Sequence, residues 1–275
     1  MASKFNERWW IRRMNKIGRI GIIGGAGWLG SALAKSLIAS GSVRPDAMTC
    51  SHRSSMPDMG IECHWTTNND ELVARSDVII VSVRPADWNS VKIQAAGKLV
   101  ISVMAGIRLA DIGHRTGTRR VARALPNAAA ALGFSYTPVY LESDDDNDEK
   151  SARAIFGSCG EVDIVAHEDH IDYFTAMSGS GEAFPALLAE AMASDAVSRG
   201  IPLQMACRAA QQVIIGAGRL QERHGNAPAA TVEAFVAYNG TTAAGIVGMR
   251  ESGFVASVRC GLEAAYLKAL TLSAS

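Results

Sequence analysis

Three glycines carry the first chemical signal in this chain. Gly25, Gly27 and Gly30 follow the order G-x-G-x-x-G, with Ala26, Trp28 and Leu29 between them. Each meets a separate need of a phosphate site: Gly25 a tight turn, Gly27 an open approach of backbone to pyrophosphate, and Gly30 close packing of a helix on a strand. A helix starting there offers N–H groups and a partial positive charge to the anion. The second signal lies where such folds meet the adenosine ribose, about 20 residues past the last glycine. An NAD site places a carboxylate there, whereas this chain reads Ser51-His52-Arg53-Ser54. The Arg53 guanidinium is a bidentate fork and Ser51 and Ser54 add hydroxyls, a set suited to a 2′-phosphate. The expected cofactor is NADP(H), with NAD(H) as the alternative.

These residues need a strand before them and a helix behind. Ile20-Gly21-Ile22-Ile23 supplies a buried strand, and residues 31–40 have apolar positions at helical spacing, ended by Gly41. Further strands are expected at 47–50, 61–65, 77–83, 99–103 and 119–123, alternating with helices at 69–76, 88–96 and 109–114. That alternation predicts an α/β fold, a Rossmann-type doubly wound parallel sheet. The run 77–83 is β-branched with little alternation, as expected of a parallel strand covered on both faces. Strands at 134–141 and 160–166 flank an acidic run, 142–149, and a helix at 150–158. The acidic run lacks the glycine and closing glutamate of a calcium loop, and reads as a solvated cap of the helix after it.

From residue 167 onward the texture is helical, with helices expected at 169–177, 182–199, 204–223, 229–236, 242–252 and 254–271. The breaks fall at Gly179, Gly181, Gly200-Ile201-Pro202, Gly225, Gly240 and Gly253. The expected organisation is an N-terminal extension over 1–16, a dinucleotide-binding domain over 17–166 and an all-helical substrate and dimerisation domain over 167–275. The helical part is rich in alanine and glycine and thin in aromatic residues. It is expected to complete its core against a second copy, as a homodimer or a larger assembly of dimers.

Composition narrows the class further. Of 275 residues, 48% are hydrophobic, enough for a sizeable core. Lys and Arg total 27 against 27 Asp and Glu, which argues against nucleic acid or an anionic membrane as the main partner. No apolar run approaches a membrane span, and residues 1–16 lack the apolar stretch of a signal peptide. Five scattered cysteines without a C-x-x-C pair suit reduced thiols and a cytoplasmic setting. His167 and His170 beside Glu168 and Asp169 make a passable metal pair, yet no further ligand cluster accompanies them, so no metal is expected.

Several short segments, in order, carry a resemblance. They are the glycine turn, Ser51 to Ser54, Asn69, Val81-Ser82-Val83-Arg84-Pro85, Ser102 to Gly106, Arg123-Ala124-Leu125-Pro126-Asn127, Met177-Ser178-Gly179-Ser180-Gly181 and Gly240-Thr241-Thr242. Over residues 17–271 the chain resembles the pyrroline-5-carboxylate reductase family. The resemblance implies an oxidoreductase acting on a C=N bond, reducing 1-pyrroline-5-carboxylate to L-proline in proline biosynthesis. It places Gly25 to Gly30, Ser51, Arg53, Ser54, Asn69, Val83, Arg84, Pro85, Ala105 and Gly106 at the cofactor. It places Asn127, Glu182, Asn239, Gly240, Thr241 and Thr242 at a cyclic imino acid substrate, with Thr242 as the catalytic group meeting the ring nitrogen. The N–H groups of the helix opened by Gly240-Thr241-Thr242 would take the substrate carboxylate.

Read as residues alone, several of these keep a second role. Asn127 suits a turn after proline, Glu182 the first turn of a helix, Thr242 an ordinary N-cap. Tyr238 could cover the pocket or meet a second subunit. The chain also departs from the family pattern: Glu182 stands for a proline, Ala237-Tyr238-Asn239 for Ser-Pro-Gly, and Arg84 for a lysine. These departures keep two alternatives open, a reductase of another cyclic imine or carbonyl acid and a non-catalytic NADP-binding regulator.

Overall fold

The computed structural model describes residues 17–53, 60–143 and 145–273, so the extension over 1–16 and Ser54 lie outside the described residues. The chain forms two compact units. Residues up to Gly179, together with those from Ala265 onward, make the first, and Ser180–Ala264 make the second.

The first unit is built on one sheet of eight strands: β1 (Ile20–Ile23), β2 (Met48–Ser51), β3 (His64–Thr66), β4 (Val78–Val81), β5 (Leu99–Ser102), β6 (Val121–Ala124), β7 (Ser135–Glu142) and β8 (Gly160–Ile164). Their spatial order is β3-β2-β1-β4-β5-β6-β7-β8. Strands β1 to β6 pair in parallel, in the registers Ile20↔Met48, Ile20↔Val78 and Val78↔Leu99 around the centre. Strand β7 runs antiparallel to β6, which departs from an all-parallel sheet. The link between them holds a 3-10 turn, Ala128–Leu132, and no crossover helix, and a parallel neighbour needs a longer crossover.

Helices α1 (Trp28–Ala39), α2 (Asn69–Arg75), α3 (Leu109–Thr116), α4 (Asp146–Gly157) and α5 (Asp169–Met177) complete this unit. Helix α1 starts at Trp28 rather than Ser31 and so takes Gly30 into its first turn. The helix expected at 88–96 does not form. A 3-10 turn runs over Pro85–Ser90, and the chain then extends, with Val91, Ile93 and Ala95 buried and Lys92 and Gln94 exposed. Burial at every second residue is the pattern of extended chain, and the Ala95 N–H donates to the Thr116 carbonyl at 2.7 Å. In the acidic run, Asp145 caps α4 by accepting from the Asn147 N–H at 2.9 Å. Asp148 is not solvated: it is buried and held by Arg120.

The sheet is covered on both faces. Ile20, Ile22, Leu33, Leu37, Ile80 and Phe156 form one cluster, and Ile23, Leu72, Ile79, Val81, Trp88 and Ile112 the other. Each such side chain contributes roughly 1.5–3 kcal/mol when fully buried. Helix α5 lies beyond the change in composition at 167 yet belongs to this unit. Arg123 of β6, itself buried, donates to Glu168 Oε1 at 2.8 Å and Asp172 Oδ1 at 2.9 Å. The last residues of the chain's final helix also pack here: Ala269 is buried, and the Tyr266 and Tyr173 rings lie 5.9 Å apart.

The second unit contains α6 (Ala183–Ser198), α7 (Leu203–His224), α8 (Pro228–Tyr238), α9 (Thr241–Glu251) and the start of α10 (Phe254–Ser273). Helices α6 and α7 meet through Ala193, Ala206 and Ala210. Leu187, Leu203, Ile215, Phe235 and Val255 are exposed. Among the described residues, no helix is long and apolar enough to cross a membrane.

Candidate active site

After β1 the chain builds β2 and β3 on one side, then returns to β4 on the other, so the strand order reverses at β1. Ligands of open α/β sheets bind beyond the carboxyl ends of the strands at such a point. Apart from Ser54, which lies outside the described residues, the expected cofactor residues fall there: Gly25 to Gly30 after β1, Ser51 and Arg53 at the end of β2, Asn69 after β3, Val83 to Pro85 after β4, and Ala105 and Gly106 after β5. The strand ends are held in step by Ser82 N–H to the Ile23 carbonyl at 2.9 Å and Val103 N–H to the Val81 carbonyl at 3.0 Å.

The glycine turn differs in detail from its expected division of labour. The left-handed residue is Gly24, at φ +79°, and a Cβ there would sit 2.5 Å from the Ser82 carbonyl oxygen. Gly25 answers a packing need instead, since its Cβ would come within 2.7 Å of Cys50 Cβ. A Cβ on Gly30 would lie 2.4 Å from the Gly24 carbonyl oxygen, which explains the glycine inside the first turn of α1. Gly27 is exposed and forms the N-cap of α1 without a side-chain cap, leaving the helix N-terminus open to an anion. Around it Trp28 is exposed and Ala26 and Leu29 are half-buried.

The end of β2, where the ribose is expected, is more tightly organised than its sequence suggests. Ser51 is buried, and its hydroxyl accepts the Gly24 N–H at 3.3 Å. It braces the glycine turn. Arg53 is exposed, and its Nη2 lies 2.6 Å from Asp87 Oδ2. Arg84 donates from Nε to that same oxygen at 2.9 Å. Arg84 first and Arg53 second hold the Asp87 carboxyl below its ordinary range. Sequence reasoning missed Asp87, and its spacing of three from Arg84 was the available signal. Asn69 opens α2, half-buried, while Asn68 caps that helix by accepting from the Asp70 N–H at 2.9 Å. Val83 and Pro85 are half-buried, and Pro85 opens the 3-10 turn. Ala105 is half-buried and Gly106 is buried at φ +74°.

Asn127 has both ends of its amide engaged. Oδ1 accepts from the Ala129 N–H at 3.1 Å, and Nδ2 donates to the Ser178 carbonyl at 3.0 Å. The turn role is thus filled, and the side chain also ties the end of α5 to the β6 loop. The rings of His167 and His170 meet edge to face at 5.1 Å. The carboxylates beside them are held elsewhere, Asp169 by Arg108 at 2.6 Å and Glu168 by Arg123. Among the described residues, no group of three or more His, Cys, Asp or Glu could hold a metal ion.

In the second unit, Asn239 to Thr242 form one helix junction. Asn239 takes φ 55° at the C-cap of α8, and asparagine tolerates that conformation better than most residues. Gly240 is the N-cap of α9, and a Cβ there would lie 3.2 Å from Tyr238 Cδ1 and Cε1. Thr241 and Thr242 are exposed in the first turn, and no side chain caps it. The N-cap role open to Thr242 therefore belongs to Gly240. Glu182 is exposed at the head of α6, helical in conformation and making no cap hydrogen bond.

Residues 168–272 match the family model for pyrroline-5-carboxylate reductase dimerisation, and residues 19–106 that for NADP oxidoreductase, coenzyme F420-dependent. The chain is 32% identical over 253 residues to a pyrroline-5-carboxylate reductase of Methanosarcina acetivorans, covering 87% of this chain and 92% of that one. It is 30% identical over 259 residues to the Glycine max enzyme of that name, covering 90% and 94%. A solved pyrroline-5-carboxylate reductase structure from Coxiella burnetii superposes with a TM-score of 0.85 at 25% identity, over 94% of this chain and 99% of that one.

Proposed function

The chain belongs to the pyrroline-5-carboxylate reductase family, and on that premise we propose that it reduces 1-pyrroline-5-carboxylate to L-proline with NADPH. The cofactor half of this reading is supported by the cradle at Gly24, Gly25 and Gly30, where any Cβ would strike backbone or Cys50, beside an uncapped helix N-terminus, and the substrate half by the relatives of that name. That cradle fits a pyrophosphate, and Arg53 and Arg84 suit the 2′-phosphate. Bound there, NADPH supplies hydride from its nicotinamide. The chain's own residues bind and orient: a cyclic imine is protonated easily, and placement supplies much of the rate.

In this reading the N–H groups at the start of α9 take the substrate carboxylate, and the Thr242 hydroxyl meets the ring nitrogen. The exposed apolar side chains of the second unit support assembly with a second copy, as a homodimer or an assembly of dimers. The scattered free cysteines support a cytoplasmic setting. A second reading, reduction of a different cyclic imine or carbonyl acid, is favoured by Tyr238, whose ring borders Gly240 while remaining 84% exposed. A panel of cyclic imines with NADPH, beside proline-dependent NADP reduction at high pH, tests both. Turnover with 1-pyrroline-5-carboxylate is expected, and Thr242→Ala should lower kcat by about 10²-fold with NADPH affinity unchanged. Intact NADPH binding without turnover on any imine would leave the regulator reading.

A further inference from the structure

The ribose end of the site holds one carboxylate between two arginines. Arg53 leaves the end of β2 and Arg84 the end of β4, and both reach Asp87 Oδ2, at 2.6 and 2.9 Å. The Asp87 side chain is 18% exposed, against 67% for Arg53 and 81% for Arg84, so the carboxylate is tucked beneath two guanidinium groups that face outward. Two positive charges and one negative leave a small net attraction for anions. A phosphate monoester carries roughly −1.5 to −2 charges near neutral pH. Placed between these arginines, it would draw them from Asp87 and stand close to a like charge. A ribose 2′-hydroxyl in the same place meets no repulsion and can donate to the carboxylate.

We propose that Asp87 is a specificity-determining residue: it occupies Arg53 and Arg84 in place of the 2′-phosphate, opposes that phosphate on entry, and so moderates the preference for NADPH over NADH. The inference rests on reading Arg53 as part of the 2′-phosphate site. It explains why a chain without the usual acidic residue after β2 still presents a carboxylate at this end, delivered from the loop after β4.

The test is fluorescence titration of the full chain with NADPH and with NADH, in Asp87→Asn, Asp87→Ser and Arg53→Ala. Loss of the carboxylate should tighten NADPH by roughly two- to fivefold and leave NADH unchanged or weaker, in both Asp87 variants. Retained NADH binding shows that each variant is folded. Weaker NADPH binding in the Asp87 variants would make the carboxylate an organiser of the arginines and overturn the proposal, and so would an unchanged NADPH-to-NADH ratio. Arg53→Ala separates the two levels. If it leaves the ratio unchanged, the phosphate-site reading itself fails. If it collapses the ratio while the Asp87 variants do not raise it, only the role of Asp87 fails.

Discussion

The sheet unit and the helical unit are held by different interiors. The first buries isoleucine, leucine, phenylalanine and tryptophan on both faces of eight strands. In Ser180–Ala264 the buried apolar residues are alanines, Ala193, Ala206, Ala210 and Ala243, while large apolar side chains face outward. Alanine seams let helices approach closely but remove little apolar area from water, and a buried methylene is worth about 0.8 kcal/mol. The site residues divide the same way. Gly24, Ser51, Arg53 and Asn127 are braced by hydrogen bonds or ion pairs within the first unit, whereas Glu182, Thr241 and Thr242 stand exposed in the second. The expected cofactor residues thus stand on the sheet unit, and the helical unit's own interior removes little apolar area from water.

The sharpest way to break this contrast is Arg123→Met, which removes the guanidinium between Glu168 and the buried Asp172. Arg108 still reaches the other Asp172 oxygen at 3.2 Å, so breaking the buried pair should cost about 3 kcal/mol, the low end for such pairs. The melting temperature should fall by about 10 °C, read by calorimetry, with the loss in the sheet unit. Next is Ala206→Leu, which overfills the α6–α7 seam and should cost about 1–3 kcal/mol. Far-UV circular dichroism should show the loss while NADPH binding survives. If both variants shift one common transition equally, the two interiors are not separable. The smallest effect is at Asp77, which Arg19 holds below its ordinary range through side-chain and backbone hydrogen bonds. A lowered carboxyl stabilises the fold above its unfolded pKa, and that contribution is lost as pH falls through the folded pKa. The pair is half-exposed. Asp77→Asn should therefore cost under about 1 kcal/mol at neutral pH, and urea melts of variant and parent should converge in acid.

Local features of the site were legible because each depends on neighbouring residues. The G-x-G-x-x-G run, the β-branched strand at 78–81 and the helix opened at 241 could be read from glycine placement and periodicity. What escaped depends on strand register. The Ser51 hydroxyl reaches Gly24 only because β2 pairs beside β1, and Arg53 meets Asp87 only because β2 and β4 end at the same level. No spacing within one segment reports such contacts. The extended stretch at 91–95 reads as helix from sequence because three apolar residues in a short run fit both periods, and its partner, the Thr116 carbonyl, lies far along the chain. The turn at Gly24 was open to view in the doubled Gly24-Gly25, and only the φ angle distinguishes which of the two bends.

The final helix has a topological consequence. Because its residues from Ala265 return to the sheet unit, the helical unit is an insertion with two covalent attachments rather than an appendage with one. A protease nick between Gly179 and Ser180 would therefore not free either part. The carboxyl-terminal fragment would stay clasped through Ala269 and the Tyr173–Tyr266 ring contact.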